Sequence, residues 1–217
     1  TAEGVGRLFA APYKRPDAKA REAGKDLPSD SSGVLGDGPL PEFYEPVESP
    51  VANALHPKVQ TNPVLKYPRV KGLQPVGTAK DFPYVLSTAS LAEHWCAGSV
   101  TRNVPWLNEL VPEPWCEIPG SLAAAQGIRS GDRVRVSSAR GAVVVKALVT
   151  NRMQTLRVDG RDVTVVWMPY NWGFKGLSQG PSTNELTTDA GDPNTWCQET
   201  KACLVDVRKV EGAVAAR

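Results

Sequence analysis

The stretch RVRVSSARGAVVVKALVT, residues 133–150, reads as two strands around a tight turn. Arg133–Ser138 alternates valine with charged or hydroxyl residues, the period of a strand with one buried face. Ala139-Arg140-Gly141 reverses the chain. Ala142–Thr150 is then almost continuously apolar, which predicts a strand too buried to lie on a surface. Working outward, Ser130-Gly131-Asp132 is a turn, and Ser121–Gln126 is a short helix stopped by Gly127. Downstream, Val158-Asp159-Gly160-Arg161-Asp162 carries the Asp-Gly signal of a hairpin that returns as Val163–Pro169. Phe82–Leu86 and Cys203–Val207 have the length and apolar content of two more strands. Short strands, tight turns and a small helix predict a mainly β fold with short helices, closed as a barrel, with a sandwich as the alternative.

Composition divides the chain near residue 80. The first 83 of its 217 residues hold twelve of the nineteen prolines, while all six tryptophans and all four cysteines follow them. Residues 1–80 therefore read as a long extended arm, because each proline pushes its predecessor out of the helical region. Ala18–Ala23 is a possible short helix within it. Leu40, Phe43, Tyr44, Val47, Val51 and Leu55 punctuate the arm with apolar anchors, which a disordered linker carries less often. Residues 81–217 read as the compact domain. A net charge of +2 gives no sign of a nucleic acid or anionic membrane partner. No apolar run approaches the ~20 residues that cross a bilayer. The chain opens at Thr1 without an initiator methionine or a signal-like run, which suggests a processed chain or a piece of a longer one. Cys96, Cys116, Cys197 and Cys203 form no C-x-x-C pair, so no metal site is expected and a disulfide stays open.

Function concentrates after the first strand, in Thr88–Asn103 (TASLAEHWCAGSVTRN). His94 lies close enough in sequence to Cys96 and Ser99 for a base–nucleophile pair, but no orienting carboxylate accompanies them. No catalytic residue is assigned. Binding chemistry is richer. A closed barrel would bring the loops Thr88–Asn103, Tyr170–Asn184 and Thr187–Lys201 to one rim, with amides, hydroxyls, cations such as Arg102 and Lys175, and aromatic faces. Such a set suits a large, polar, phosphorylated heterocycle. No GxGxxG or Walker motif points to a nicotinamide or ATP site.

The residues Phe82-Pro83-Tyr84, Glu93-His94-Trp95 and Thr101–Leu110 together resemble the C-terminal domain of molybdopterin oxidoreductases. More narrowly, with Gly38–Pro46, Asn53–Pro57, Val136–Gly141 and Gly191–Thr195, the chain resembles the catalytic subunit of molybdenum- or tungsten-dependent formate dehydrogenases. That resemblance implies a double-psi β-barrel, of the aspartate decarboxylase-like kind, that closes over a bis-(molybdopterin guanine dinucleotide). By the family pattern Thr88, Ser90, His94 and Thr101 would touch pterin or phosphate. Asn171 and Trp172 would lie in a second contact loop, and Asn184, Asn194 and Lys201 near a dinucleotide. Ser90 stands where several relatives carry a basic residue.

The family's Fe₄S₄ cysteine motif and its metal-ligating cysteine or selenocysteine have no counterpart here. The resemblance therefore implies that the metal, the cluster and the substrate pocket belong to the remainder of the catalytic subunit, with an iron–sulfur electron-transfer subunit beside it. It also implies a periplasmic rather than cytoplasmic location. The same domain of a nitrate reductase or another molybdopterin oxidoreductase remains open. So does a free-standing barrel that binds without a redox cofactor.

Overall fold

The structure, a computed structural model, describes residues 43–58, 60, 62, 75–173, 175–191, 197–198 and 202–211. They divide into two compact units. One comprises the described part of residues 1–47, 52–74 and 189–199; the other comprises residues 48–51, 75–188 and the described part of 200–217. The expected helix at Ala18–Ala23 and most of the expected arm lie outside the described residues. Residues 48–51 and 75–80, inside the stretch read as arm, belong to the second unit.

The second unit is built on a closed barrel. Its strands are β1 (Tyr84–Ala89), β2 (Trp115–Pro119), β3 (Arg133–Ser137), β4 (Ala142–Thr150), β7 (Val165–Pro169) and β8 (Ala202–Lys209), in the order β1-β7-β2-β4-β3-β8. Between β4 and β7, β5 (Leu156–Val158) and β6 (Arg161–Val163) form a separate two-stranded sheet. β1 runs parallel to β7, and β2 runs parallel to β4; antiparallel pairs join these into a ring. Two parallel pairs closed by antiparallel neighbours make the double-psi β-barrel. The helices are short: α1 (Pro105–Leu110) and α2 (Gly120–Gln126), with 3-10 turns at Thr101–Asn103 and Thr183–Glu185.

Alternation along the strands fills the interior. Leu86, Ile118, Val134, Val136, Val145, Val166, Met168 and Val205 are essentially inaccessible. Burying each such side chain contributes about 1.5–3 kcal/mol. β4 corrects the expectation of two-sided burial. Val143, Val145 and Ala147 point inward, whereas Val144 is 46% and Leu148 38% exposed. Both are apolar residues on the outer wall, so continuous hydrophobicity did not mean burial. The run Val163–Pro169 also divides: Val163 ends β6, and Val165 opens β7, which pairs with β1 from Val85↔Val165 onward. Cys96, Cys116 and Cys203 are free thiols, and no disulfide forms among the described residues. Burial pushes the Cys116 thiol up strongly and that of Cys203 to about 12, so neither is a nucleophile at neutral pH.

One carboxylate fastens distant segments to this barrel. Glu48 is 2% exposed and accepts from Arg140 through both oxygens (2.5 and 3.0 Å). It also accepts the backbone N–H groups of Gly77 and Leu204, the latter at 2.7 Å. Arg140 in turn donates to the carbonyls of Leu186 (2.7 Å) and Pro75 (2.8 Å). Burial alone would raise the Glu48 pKa. The guanidinium and the two amides outweigh it and hold the carboxyl below its usual range.

The first unit's described residues form no helix or strand. Asn53 organises them: its side-chain amide donates to the Phe43 carbonyl (3.0 Å) and accepts from His56 N (2.9 Å). The Gln60 and Asn62 amides reach the carbonyls of Asn53 and Glu45. In a proline-punctuated chain with few backbone donors, side-chain amides supply the missing hydrogen bonds.

Candidate cofactor-binding site

Because β1 and β7 are parallel and aligned as far as Ala89↔Pro169, the loops that follow them leave the barrel at the same end. The sequence expectation that Thr88–Asn103 and Tyr170–Asn184 meet is met by this register. The third expected loop lies largely outside the described residues, and so do Asn194 and Lys201.

The two loops interlock through backbone as much as through side chains. Tyr170 N donates to Ala89 O (3.2 Å), and Leu177 N donates to Arg102 O (2.9 Å). Arg102, fully buried, donates from its guanidinium to Ser178 O at 3.2 Å. Burial lowers its pKa from the usual guanidinium value. Gly98 sits at φ +73°, and a Cβ there would fall 2.3 Å from the Asn171 carbonyl oxygen. Only glycine allows backbones to approach that closely.

His94 lies beneath this junction with no exposed surface. Its Nε2 is 3.0 Å from Val111 O, and its Nδ1 is 3.3 Å from Thr101 Oγ1. The ring stands edge-on to Trp172, with centroids 5.1 Å apart at 87°. Thr101 Oγ1 also accepts from Trp95 N (3.2 Å). Asn171 is equally buried, and its carboxamide reaches across to the first loop. Thr88, near the end of β1, is 3% exposed and shares the buried face of the strand with Leu86. Of the expected contact residues, Ser90 and Asn184 are exposed.

Two recesses flank the interlocked loops. The larger, about 530 Å³, lies on the outer face of β2 and β7, lined by Ser90, Leu91, Glu93, Trp115, Glu117, Arg152 and Trp167 among others. Trp115 and Trp167 form its aromatic wall, with ring centroids 6.2 Å apart, and Arg152 pairs with Glu117. The smaller, about 450 Å³, is polar and lined by Gly173, Lys175, Gln179 and Gly180. Nearby, Trp172 Nε1 and Ser178 Oγ are buried without a hydrogen-bond partner among the described residues. Unmet buried polar groups are costly. The sequence marks Gln179 as a rim amide and Lys175 as a rim cation, and gives Gly173 and Gly180 no role. Their convergence depends on the fold of the 171–180 turn. Among the described residues, no cluster of three or more His, Cys, Asp or Glu is placed to hold a metal.

The model of the family "Molydopterin dinucleotide binding domain" matches residues 84–204, from the start of β1 into β8. The chain belongs to this family of molybdopterin dinucleotide-binding domains. It is 44% identical over 177 residues to formate dehydrogenase 2 subunit alpha (cytochrome c-553) of Nitratidesulfovibrio vulgaris, covering 81% of this chain and 17% of that one. It is 40% identical over 210 residues to the nitrate-inducible formate dehydrogenase major subunit of Escherichia coli, covering 95% of this chain and 18% of that one. Acetylene hydratase from Pelobacter acetylenicus shares the fold, with a TM-score of 0.51 at 15% identity over 79% of this chain and 21% of that one. This molybdopterin dinucleotide-binding domain thus spans under a fifth of the length of the curated relatives it matches. The polar recess suits the family's ligand in kind: glycine backbone, an ammonium and a carboxamide are donors for phosphate oxygens and for a heterocycle edge.

Proposed function

We propose that this chain is the cofactor-binding part of the catalytic subunit of a formate dehydrogenase, holding a bis-(molybdopterin guanine dinucleotide) at the rim of its barrel. The observation that carries this reading is the 44% identity over 81% of the chain to a formate dehydrogenase alpha subunit. When bound, the cofactor supplies the redox chemistry of formate oxidation to carbon dioxide or its reverse, and the protein supplies binding and orientation. Lys175 and Gln179 are the side chains proposed to meet phosphate and heterocycle edges, with Gly173 and Gly180 letting the ligand approach the backbone. Ser90, at the mouth of the aromatic recess, offers a hydroxyl; Thr88, Asn184, Asn194 and Lys201 complete the proposed contact set. His94, Thr101 and Trp172 act in this reading by shaping the loops, since their neighbours in the chain hold them.

The metal ligand, an Fe₄S₄ cluster and the substrate pocket are proposed for the remainder of the subunit, with an iron–sulfur subunit as electron partner. A periplasmic location rests on the family resemblance alone, and fractionation of the source cells tests it. The main test takes the intact protein with every co-purifying chain. Molybdenum or tungsten, guanine nucleotide released on denaturation, and formate-dependent dye reduction are the expected results. Absence of both metal and nucleotide sinks the cofactor reading. Their presence without formate turnover leaves the cofactor and removes the substrate.

A further inference from the structure

One side chain holds the two rim loops in register. Asn171, at the second position after β7, is 0% exposed. Its Nδ2 donates toward Ser90 Oγ (3.0 Å), His94 O (2.5 Å) and Cys96 O (2.6 Å), and its Oδ1 accepts from Leu91 N (3.1 Å). Donor and acceptor are therefore both engaged by residues 90–96, a segment without helix or strand to satisfy its own backbone. That segment is also strained. Cys96 sits at φ 48°, a left-handed conformation that a side chain disfavours, and it persists only where its surroundings hold it. Its carbonyl is one of the oxygens that Asn171 binds.

We propose that Asn171 is a positioning residue: it clasps the Ser90–Cys96 backbone and so sets the face this loop presents to the cofactor, instead of touching the cofactor itself. The proposal rests on the reading of this rim as the cofactor site. Full occupation of the carboxamide and the absence of exposed surface leave it no atom for a ligand. An aspartate has the same shape but, ionised, opposes a carboxylate to the His94 and Cys96 carbonyls and removes every donor.

The test compares the full-length protein with Asn171→Asp, measuring amide hydrogen exchange across residues 88–103, thermal unfolding, and the rate at which guanine nucleotide and metal are lost. The expected result is exchange at Leu91–Cys96 faster by roughly tenfold or more, with β1 and β7 protection unchanged. Cofactor should be lost faster at temperatures well below the unfolding midpoint, with β1 and β7 still protected, a split that a purely architectural residue would not produce. Faster cofactor loss with unchanged exchange overturns the proposal and makes Asn171 a direct contact. Faster exchange with cofactor undisturbed overturns the reading of this rim as the cofactor site. If Asn171→Asp loses strand protection as well, Asn171→Ser, neutral and smaller, enters the same comparison with the same expected split.

Discussion

Gly98 concentrates at one residue what the rim requires. Its φ of +73° disfavours any side chain by about 1–2 kcal/mol. A Cβ would also press to 2.3 Å against the Asn171 carbonyl oxygen, a backbone atom that cannot swing aside. Gly98→Ala is therefore expected to destabilise the chain by about 2–4 kcal/mol in urea unfolding and to part the two loops. A loss below about 0.5 kcal/mol would show that they are not interlocked as described. The sequence displayed Gly98 as one glycine among many in a polar loop. His94 tells a related story. The resemblance implied a ligand contact there, and the groups that bury and hold its ring include Val111 and Trp172, 17 and 78 positions away. No local signal announces them.

At the scale of elements, the strands with strict alternation were legible. Arg133–Ser138 and the Asp159-Gly160 turn stand where the pattern put them, because period-two polarity and turn chemistry are local properties. Asp159 (φ 49°) and Gly160 (φ 73°) both take the left-handed conformation that a two-residue I′ hairpin turn demands. Gly160→Val places a β-branched residue there. Hydrogen exchange should show β5 and β6 losing protection while barrel strands keep theirs, with global stability changed by less than about 1 kcal/mol. Loss of barrel protection would mean the hairpin is integral to the barrel. The misread elements are those defined by partners. Val163 and Val165 differ in nothing local, yet one pairs with β5 and the other with β1. β4 reads as a buried run, yet Val144 and Leu148 face outward and stay partly exposed.

On the scale of the molecule, the Glu48 carboxylate makes the decisive long-range bonds, to Arg140 and to the Leu204 N–H, 92 and 156 positions away. Removing one partner of such a pair leaves a buried charge and costs about 3–5 kcal/mol. Glu48→Gln should lower stability by about that much at neutral pH. The folded carboxyl titrates below its ordinary value of 4.5, so its contribution is complete above that value and fades as pH falls through the folded one. The stability gap between the parent and Glu48→Gln, followed by urea unfolding from neutral pH to about pH 3, should narrow toward acid. A gap that stays constant would refute the linkage. The amino-acid sequence by itself determined the β class, the positions of most strands, the family and the two loops worth watching, since composition, alternation and motif are carried by neighbouring residues. The tertiary structure alone decided that Glu48 belongs to the barrel, that His94 and Asn171 face inward, and that Gly173, Lys175, Gln179 and Gly180 converge. The Glu48, His94 and Asn171 contacts join residues far apart in the chain, which only the closed barrel brings within hydrogen-bonding distance; the convergence of the other four follows from how the 171–180 turn folds.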